Sequence, residues 1–224
     1  MNKHLDNLSK FSDLKEDHPA LSYVKNRKIP KEHWDKLYLA DKFYEWSNSI
    51  FPEKFKSINI DYPRLVIPFF DKSGEIFAYQ GRAFGKEEPR YITLKIVSEK
   101  EKIYGLERIN YNSHVYVVEG PLDSLFLDNC LEVAGADLNL LKLEPTTTTA
   151  IYDNEPRNKE LVKQIETMVN KGYRVCLWND SIKEKDINDM IVAGKTPLTI
   201  QTLIEHNSVQ GVEAELKFNT WRKC

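Results

Sequence analysis

The stretch HVYVVEGPLDSLFL, residues 114–127, decides how this chain is read. Val115, Tyr116, Val117 and Val118 form a short continuous apolar run, the pattern of a fully buried strand, and the spacing of Leu122, Leu125 and Phe126 marks one face of a helix. Gly120-Pro121 lies at the junction, and proline suits the first turn of a helix because its missing N–H has no partner there anyway. Glu119 therefore falls at the carboxyl end of a strand and Asp123 in the first turn of the following helix. In open parallel sheets that edge is where ligands bind.

Downstream the same alternation continues. TAIYDNEP ends a strand at Asp153, NKELVKQIETMVNKG is an amphipathic helix closed by Gly172, YRVCLWND is a strand, and INDMIVAG and PLTIQTLIEHN are helices. Strands alternating with helices predict a parallel sheet with right-handed crossovers. Three pairs of acids then follow strands or open helices: Glu119 with Asp123, Asp153 with Glu155, and Asp186 with Asp189. Each pair alone has a plainer account. The segment DNEP suits an Asx turn, and Asp186 suits a cap for a helix beginning near Ile187. Together they would bring many like charges to one sheet edge, which raises their pKa values unless a cation compensates. Mg²⁺ is the natural candidate, with Mn²⁺ the alternative, because such ions take oxygen ligands and leave positions for phosphates.

Upstream, RLVIPFFDKSGEIFAYQGRAF holds two β-rich runs around Asp71–Gly74, a hairpin signal, and RYITL is a further strand. This antiparallel unit carries Arg64, Arg82, Arg90 and Lys95; on composition alone, scattered charge on a solvated sheet face accounts for them. The first 60 residues are polar and helical in flavour. One predicted helix stops before Pro30, and a second covers KEHWDKLYLADKFYEWSNSIF, where Trp34, Tyr38, Phe43 and Trp46 recur at near-helical spacing as a packing face.

The formal net charge is −2, but it is unevenly spread: residues 62–111 hold nine Lys/Arg against seven Asp/Glu, and residues 112–195 nine against fourteen. An acidic site binds polyanions when divalent cations stand between, and a neighbouring basic segment can hold phosphates directly. Cys130, Cys176 and Cys224 form no CxxC pair, which argues against a zinc ribbon and a disulfide framework. AGKTPL is not a phosphate loop, because Asp189 stands where the first glycine of that motif is needed. No apolar run approaches the roughly 20 residues of a membrane span, and no signal core follows Met1. A cytoplasmic location is expected.

With these residues in view, the chain resembles the Toprim domain shared by bacterial-type primases, topoisomerases and certain nucleases. VVEGPLD resembles its Glu-Gly-x-x-Asp motif, YDNEPRN occupies the place of its Asp-x-Asp motif, and KDINDMI is similar to the Lys-Asp-x-x-Asp segment of primases. Upstream, RLVIPFFDKSGEIFAYQGRAF, PRYIT and KIYGLERI are similar to the basic subdomain of DnaG-like primases, and the likeness is greatest to primases of large tailed bacteriophages. The resemblance implies an α/β fold. A helical segment (1–60) and a small basic α+β subdomain (61–111) would precede a Toprim parallel-sheet domain (112–195) and a helical tail (196–224). It implies synthesis of short RNA primers on single-stranded DNA. Glu119, Asp153 and Glu155 would be catalytic and would bind one or two Mg²⁺ ions, with Asp123, Asp186 and Asp189 completing the cluster. Arg82 and Arg90 match positions that contact template or nucleotide; Arg64, Lys95 and Lys185 are further candidates for that role.

The chain departs from the family at two points. The second acid of the Asp-x-Asp motif is Glu155, one methylene longer. Relatives also carry an N-terminal zinc-binding module, and no zinc is expected here, so such a module would be separately encoded, lie outside a catalytic fragment, or be replaced by a partner. The implied partners are single-stranded DNA, ribonucleoside triphosphates and a replicative helicase, with no membrane. A Toprim-type nuclease and a non-catalytic subunit docking DNA or helicase are the alternatives; the primase-like basic segment weighs against the first and the intact acids against the second.

Overall fold

The computed structural model describes residues 2–56, 59–133 and 143–224. The chain divides into two compact units, residues 1–107 and 108–224.

The first unit is built on an antiparallel sheet of β1 (Ser9–Lys10), β2 (Tyr38–Ala40), β3 (Arg64–Phe70), β4 (Ile76–Ala83) and β5 (Tyr91–Lys95), in that spatial order. The expected β3–β4 hairpin is present. Its turn is closed by Asp71, whose Oδ1 accepts from the N–H groups of Ser73 and Glu75, while Gly74 supplies a φ of +80°. The helix expected from Lys31 to Phe51 is instead a 3-10 turn (Lys31–Lys36), then β2, then helix α2 (Phe43–Ile50); α1 (Leu21–Asn26) precedes them and ends before Pro30 as anticipated. Pairing overrides local propensity at β2, where Leu39 stands opposite Leu65 of β3 and both side chains are buried. Within the expected N-terminal helical segment, Ser9–Lys10 and Tyr38–Ala40 are thus strands of this sheet.

Helix α2 lies on one face of this sheet, packing Phe43 and Trp46 against Val66, Ile76 and Tyr79. Its first turn is capped from a distance: the Asp61 carboxylate accepts from the N–H groups of Tyr44 and Glu45 at 2.9 and 2.8 Å. Gly81 lies directly under the Phe43 ring, where a Cβ would meet ring carbon at 2.1 Å. Because strand side chains alternate, that close approach turns Gln80 and Arg82 to the opposite face. A short strand, β6 (Ile103–Tyr104), comes near the end of this unit.

The second unit contains β7 (Val115–Val118), β8 (Cys130–Val133), β9 (Thr148–Ile151), β10 (Arg174–Cys176) and β11 (Ser208–Val209). These strands stand in the order β11-β10-β9-β7-β8, with β10, β9, β7 and β8 parallel and β11 an antiparallel edge. All four residues of β7 are buried, as its apolar run requires. Helix α3 (Lys159–Asn170) joins β9 to β10; its N-cap Asn158 accepts from the N–H groups of Glu160 and Leu161. The helix expected after Pro121 is a single 3-10 turn, Asp123–Phe126, because the chain must return at once to β8. Helices α4 (Ile187–Val192), α5 (Pro197–Asn207) and α6 (Val212–Trp221) follow, and Ala214 and Phe218 bury α6 against the unit. The tail is thus packed and also contributes a strand. Cys130 and Cys176 are buried, and burial pushes both thiols far above their ordinary range. Among the described residues no helix is long and apolar enough to cross a membrane.

Candidate active site

The strand order fixes where a site can form. From β7 the chain moves to β8 on one side, whereas β9 leads to β10 on the other, so the connections diverge at the β7/β9 boundary. A crevice opens at such a switch point, beyond the carboxyl ends of the strands. Glu119 immediately follows β7 and Asp153 closely follows β9, one on each side of it.

The two residues are joined. Glu119 Oε2 accepts the backbone N–H of Asp153 at 2.9 Å. Val118, Glu119, Asp123, Ile151, Tyr152, Asp153, Trp178, Asp186 and Ile187 line the cleft, whose free volume of about 10 Å³ suits one water or one small ion. Trp178 closes it by donating its indole N–H to the Tyr152 carbonyl at 2.9 Å. Gly120 leaves the space taken by Asp123: a Cβ there would meet Asp123 Oδ2 at 2.4 Å. The other Asp123 oxygen accepts the Asn188 N–H at 2.8 Å, tying the loop after β7 to α4.

The electrostatics are those of acids crowded out of water. Burial, together with the charges of Asp153 and Glu155, pushes the Glu119 carboxyl up to about 7. Burial likewise takes Asp153 up to about 6, against the opposing pull of Lys185. The Lys185 ammonium stands 3.3 Å from Asp153 and 3.1 Å from Glu155. Burial works against its charge, but Glu155 and Asp153 outweigh that and raise its pKa. Lys185 therefore acts as a resident counter-ion to two of the acids.

Of the sequence-derived acids, Glu119, Asp123, Asp153 and Asp186 all line the cleft, and Glu155 reaches it through Lys185. Asp186 also makes the anticipated N-cap, accepting the Asp189 N–H at 2.7 Å. Asp189 is exposed on the first turn of α4 and is not among the lining residues. Asn154, passed over in the sequence, organises the loop. Its N–H donates to the Lys185 carbonyl at 2.6 Å, and its side-chain amide donates to the carbonyls of Ile182 and Glu184. An asparagine between two motif acids was the available signal.

Among the described residues, no three His, Cys, Asp or Glu side chains form a ready-made metal cage. The donor chemistry nevertheless fits a hard divalent cation. Glu119, Asp153 and Glu155 offer oxygen ligands only, burial and then the neighbouring acids raise Glu119, and a lysine already pairs with the other two.

In the first unit, Arg64 differs from its expected role. It is 1% exposed, and its guanidinium lies 5.5 Å from the Phe43 ring and 5.9 Å from Tyr44, with one N–H on the Arg90 carbonyl. It is buried against the aromatic cluster of α2 rather than presented to a phosphate. Arg82, Arg90 and Lys95 are partly or fully exposed; Arg82 and Lys95 share the sheet face turned away from α2.

No family model matches the chain. It is 39% identical over 226 residues to the DNA primase of Enterobacteria phage T4, covering 99% of this chain and 65% of that protein. The chain thus spans just under two thirds of the length of this curated relative. Among solved structures, it is similar to the zinc-binding and RNA polymerase domains of Aquifex aeolicus primase, with a TM-score of 0.66, 22% identity, and coverage of 90% and 59% of the two chains. It is similar to a DNA primase domain from Pseudomonas aeruginosa, with a TM-score of 0.65, 17% identity, and coverage of 98% and 78%. A DnaG primase catalytic domain bound to single-stranded DNA aligns with a TM-score of 0.63, 18% identity, and the same coverage. The chain has the fold of the DnaG primase catalytic core.

Proposed function

We propose that this chain is the RNA-polymerising core of a DNA primase, joining ribonucleotides into short primers on single-stranded DNA. The observation that carries this reading is the set of carboxylates gathered at the β7/β9 switch point, in a chain 39% identical to a phage DNA primase along nearly its whole length. Glu119, Asp153 and Glu155 are the residues that would hold Mg²⁺, with Asp123 and Asp186 beside them. The cation, when bound, lowers the pKa of the attacking 3′-hydroxyl and neutralises charge on the leaving pyrophosphate.

The chain's own residues prepare that chemistry. Glu119 fixes the separation of the two strand ends through its bond to the Asp153 N–H. Lys185 holds Asp153 and Glu155 in place, the two acids that with Glu119 would hold the cation. Asn154 anchors the Lys185 loop, so the counter-ion stays over the acids. Arg82, Arg90 and Lys95 hold phosphates of template or nucleotide through charge, without base readout. The replicative helicase and a separate zinc-binding module enter as partners through the family resemblance.

The test is incorporation of labelled ribonucleotides on single-stranded DNA with Mg²⁺, with and without helicase and any separate zinc-binding protein. Short RNA products that disappear in Glu119→Gln are expected. Cleavage of the DNA with no polymerisation would replace this function with a nuclease, and metal-independent DNA binding with neither reaction would leave a docking subunit.

A further inference from the structure

The β4–β5 pair presents an aromatic ring that packing does not explain. Tyr91 begins β5, the last strand of its sheet, and is 52% exposed. Its cross-strand partner is Arg82, and both side chains stand on the face turned away from α2 because Gly81 and Ile92 occupy the face beneath it. The Arg82 guanidinium lies 5.5 Å from the ring centroid and that of Arg90 6.0 Å, so two cations stand beside one ring. Strand alternation sets Thr93 and Lys95 on the same face, extending the line with a hydroxyl and another cation.

An exposed ring beside a row of positive groups is the chemistry that recognises an unpaired base on a polyanionic backbone. The ring offers a flat surface for any base, and the guanidinium groups meet adjacent phosphates while polarising the ring. A duplex keeps its bases stacked on one another and leaves none free for the ring. We propose that Tyr91 is a stacking platform for one base of single-stranded DNA, with Arg82 and Arg90 holding the phosphates on either side. This deepens the template-binding part of the function proposed above and rests on it.

The test uses the full chain and fluorescein-labelled oligothymidylate beside an abasic oligonucleotide of equal length, with binding followed by anisotropy across a salt series. Tyr91→Leu is expected to weaken oligothymidylate binding roughly 5- to 100-fold, leave abasic binding within about twofold, and keep the salt slope. Tyr91→Phe retains the ring and binds as the parent does. Arg90→Ala weakens binding to both oligonucleotides and flattens the salt slope by about 0.7. Equal losses on both oligonucleotides in Tyr91→Leu, or no loss on either, would overturn the stacking assignment while leaving template binding intact. Failure of the parent chain to bind either oligonucleotide would overturn the template-binding reading and the inference together. Matching melting temperatures of the leucine and phenylalanine variants separate a lost ring from a lost fold.

Discussion

Glu119 Oε2 and the backbone N–H of Asp153 meet at 2.9 Å across 34 residues of sequence, joining the ends of β7 and β9 at the point where the chain connections diverge. One carboxylate oxygen thus sets the geometry of the switch point and leaves the other available to a ligand. Glu119→Gln keeps an oxygen to accept the Asp153 N–H and loses the charge. Nucleotide incorporation should fall by about 100-fold or more, with an unchanged circular dichroism spectrum. Parent-like activity in this variant would remove Glu119 from the site.

The raised pKa of Glu119 makes the metal-free fold sensitive to pH in a defined direction. The side chain ionises at about 4.5 when unfolded and about 7 when folded, so the folded state holds the proton more tightly. Its contribution is therefore fully present below pH 4.5 and is lost as pH rises through 7. In chelator-treated protein the melting temperature should drop by a few degrees between pH 5 and pH 8. The drop should shrink in Glu119→Gln and on adding Mg²⁺; an identical drop in the variant would contradict the burial argument.

Under the proposed metal assignment, Lys185, which is paired with Asp153 and Glu155, would compete with the cation for them. Lys185→Met removes the competitor and keeps much of the side-chain volume. Mn²⁺ titrated into this variant, followed by electron paramagnetic resonance of the free ion, should bind several-fold more tightly than to the parent. The metal-free variant should also melt at slightly lower temperature, because Asp153 and the half-exposed Glu155 lose their counter-ion. Weaker Mn²⁺ binding would mean that Lys185 supports the cation rather than replacing it.

Gly81 is required by the approach of α2. Gly81→Ala drives a methyl group into the Phe43 ring, at a cost of about 1–3 kcal/mol in urea denaturation. In a Phe43→Ala background that cost should largely vanish, since the clash is gone. A penalty of equal size in both backgrounds would place its origin in the strand itself.

Asn154→Ala removes the side-chain donations to Ile182 and Glu184. The Lys185 loop should loosen, with faster amide hydrogen exchange at residues 182–186 and a lower rate of nucleotide incorporation. Exchange unchanged from the parent would show that the backbone bond from Asn154 to Lys185 suffices.

The sequence by itself determined what depends on near neighbours. The buried run of β7, the amphipathic pattern of α3, the hairpin turn at Asp71–Gly74 and the acids just beyond β7 and β9 are local signals, and periodicity or turn chemistry expresses each. Tertiary structure decided everything that rests on distant partners. The order β10-β9-β7-β8, which makes the Glu119–Asp153 boundary a crevice, follows from crossovers that no local pattern specifies. Pairing with β3 turned part of an expected helix into β2, and Asp61 caps α2 from beyond that helix. Arg64 and Lys185 are both candidate template or nucleotide contacts in the sequence, yet one is sealed against Phe43 and the other, still exposed, is paired with Asp153 and Glu155. A side chain's charge is written in the sequence, but its partners are set by tertiary packing, which exists only once the sheets have formed.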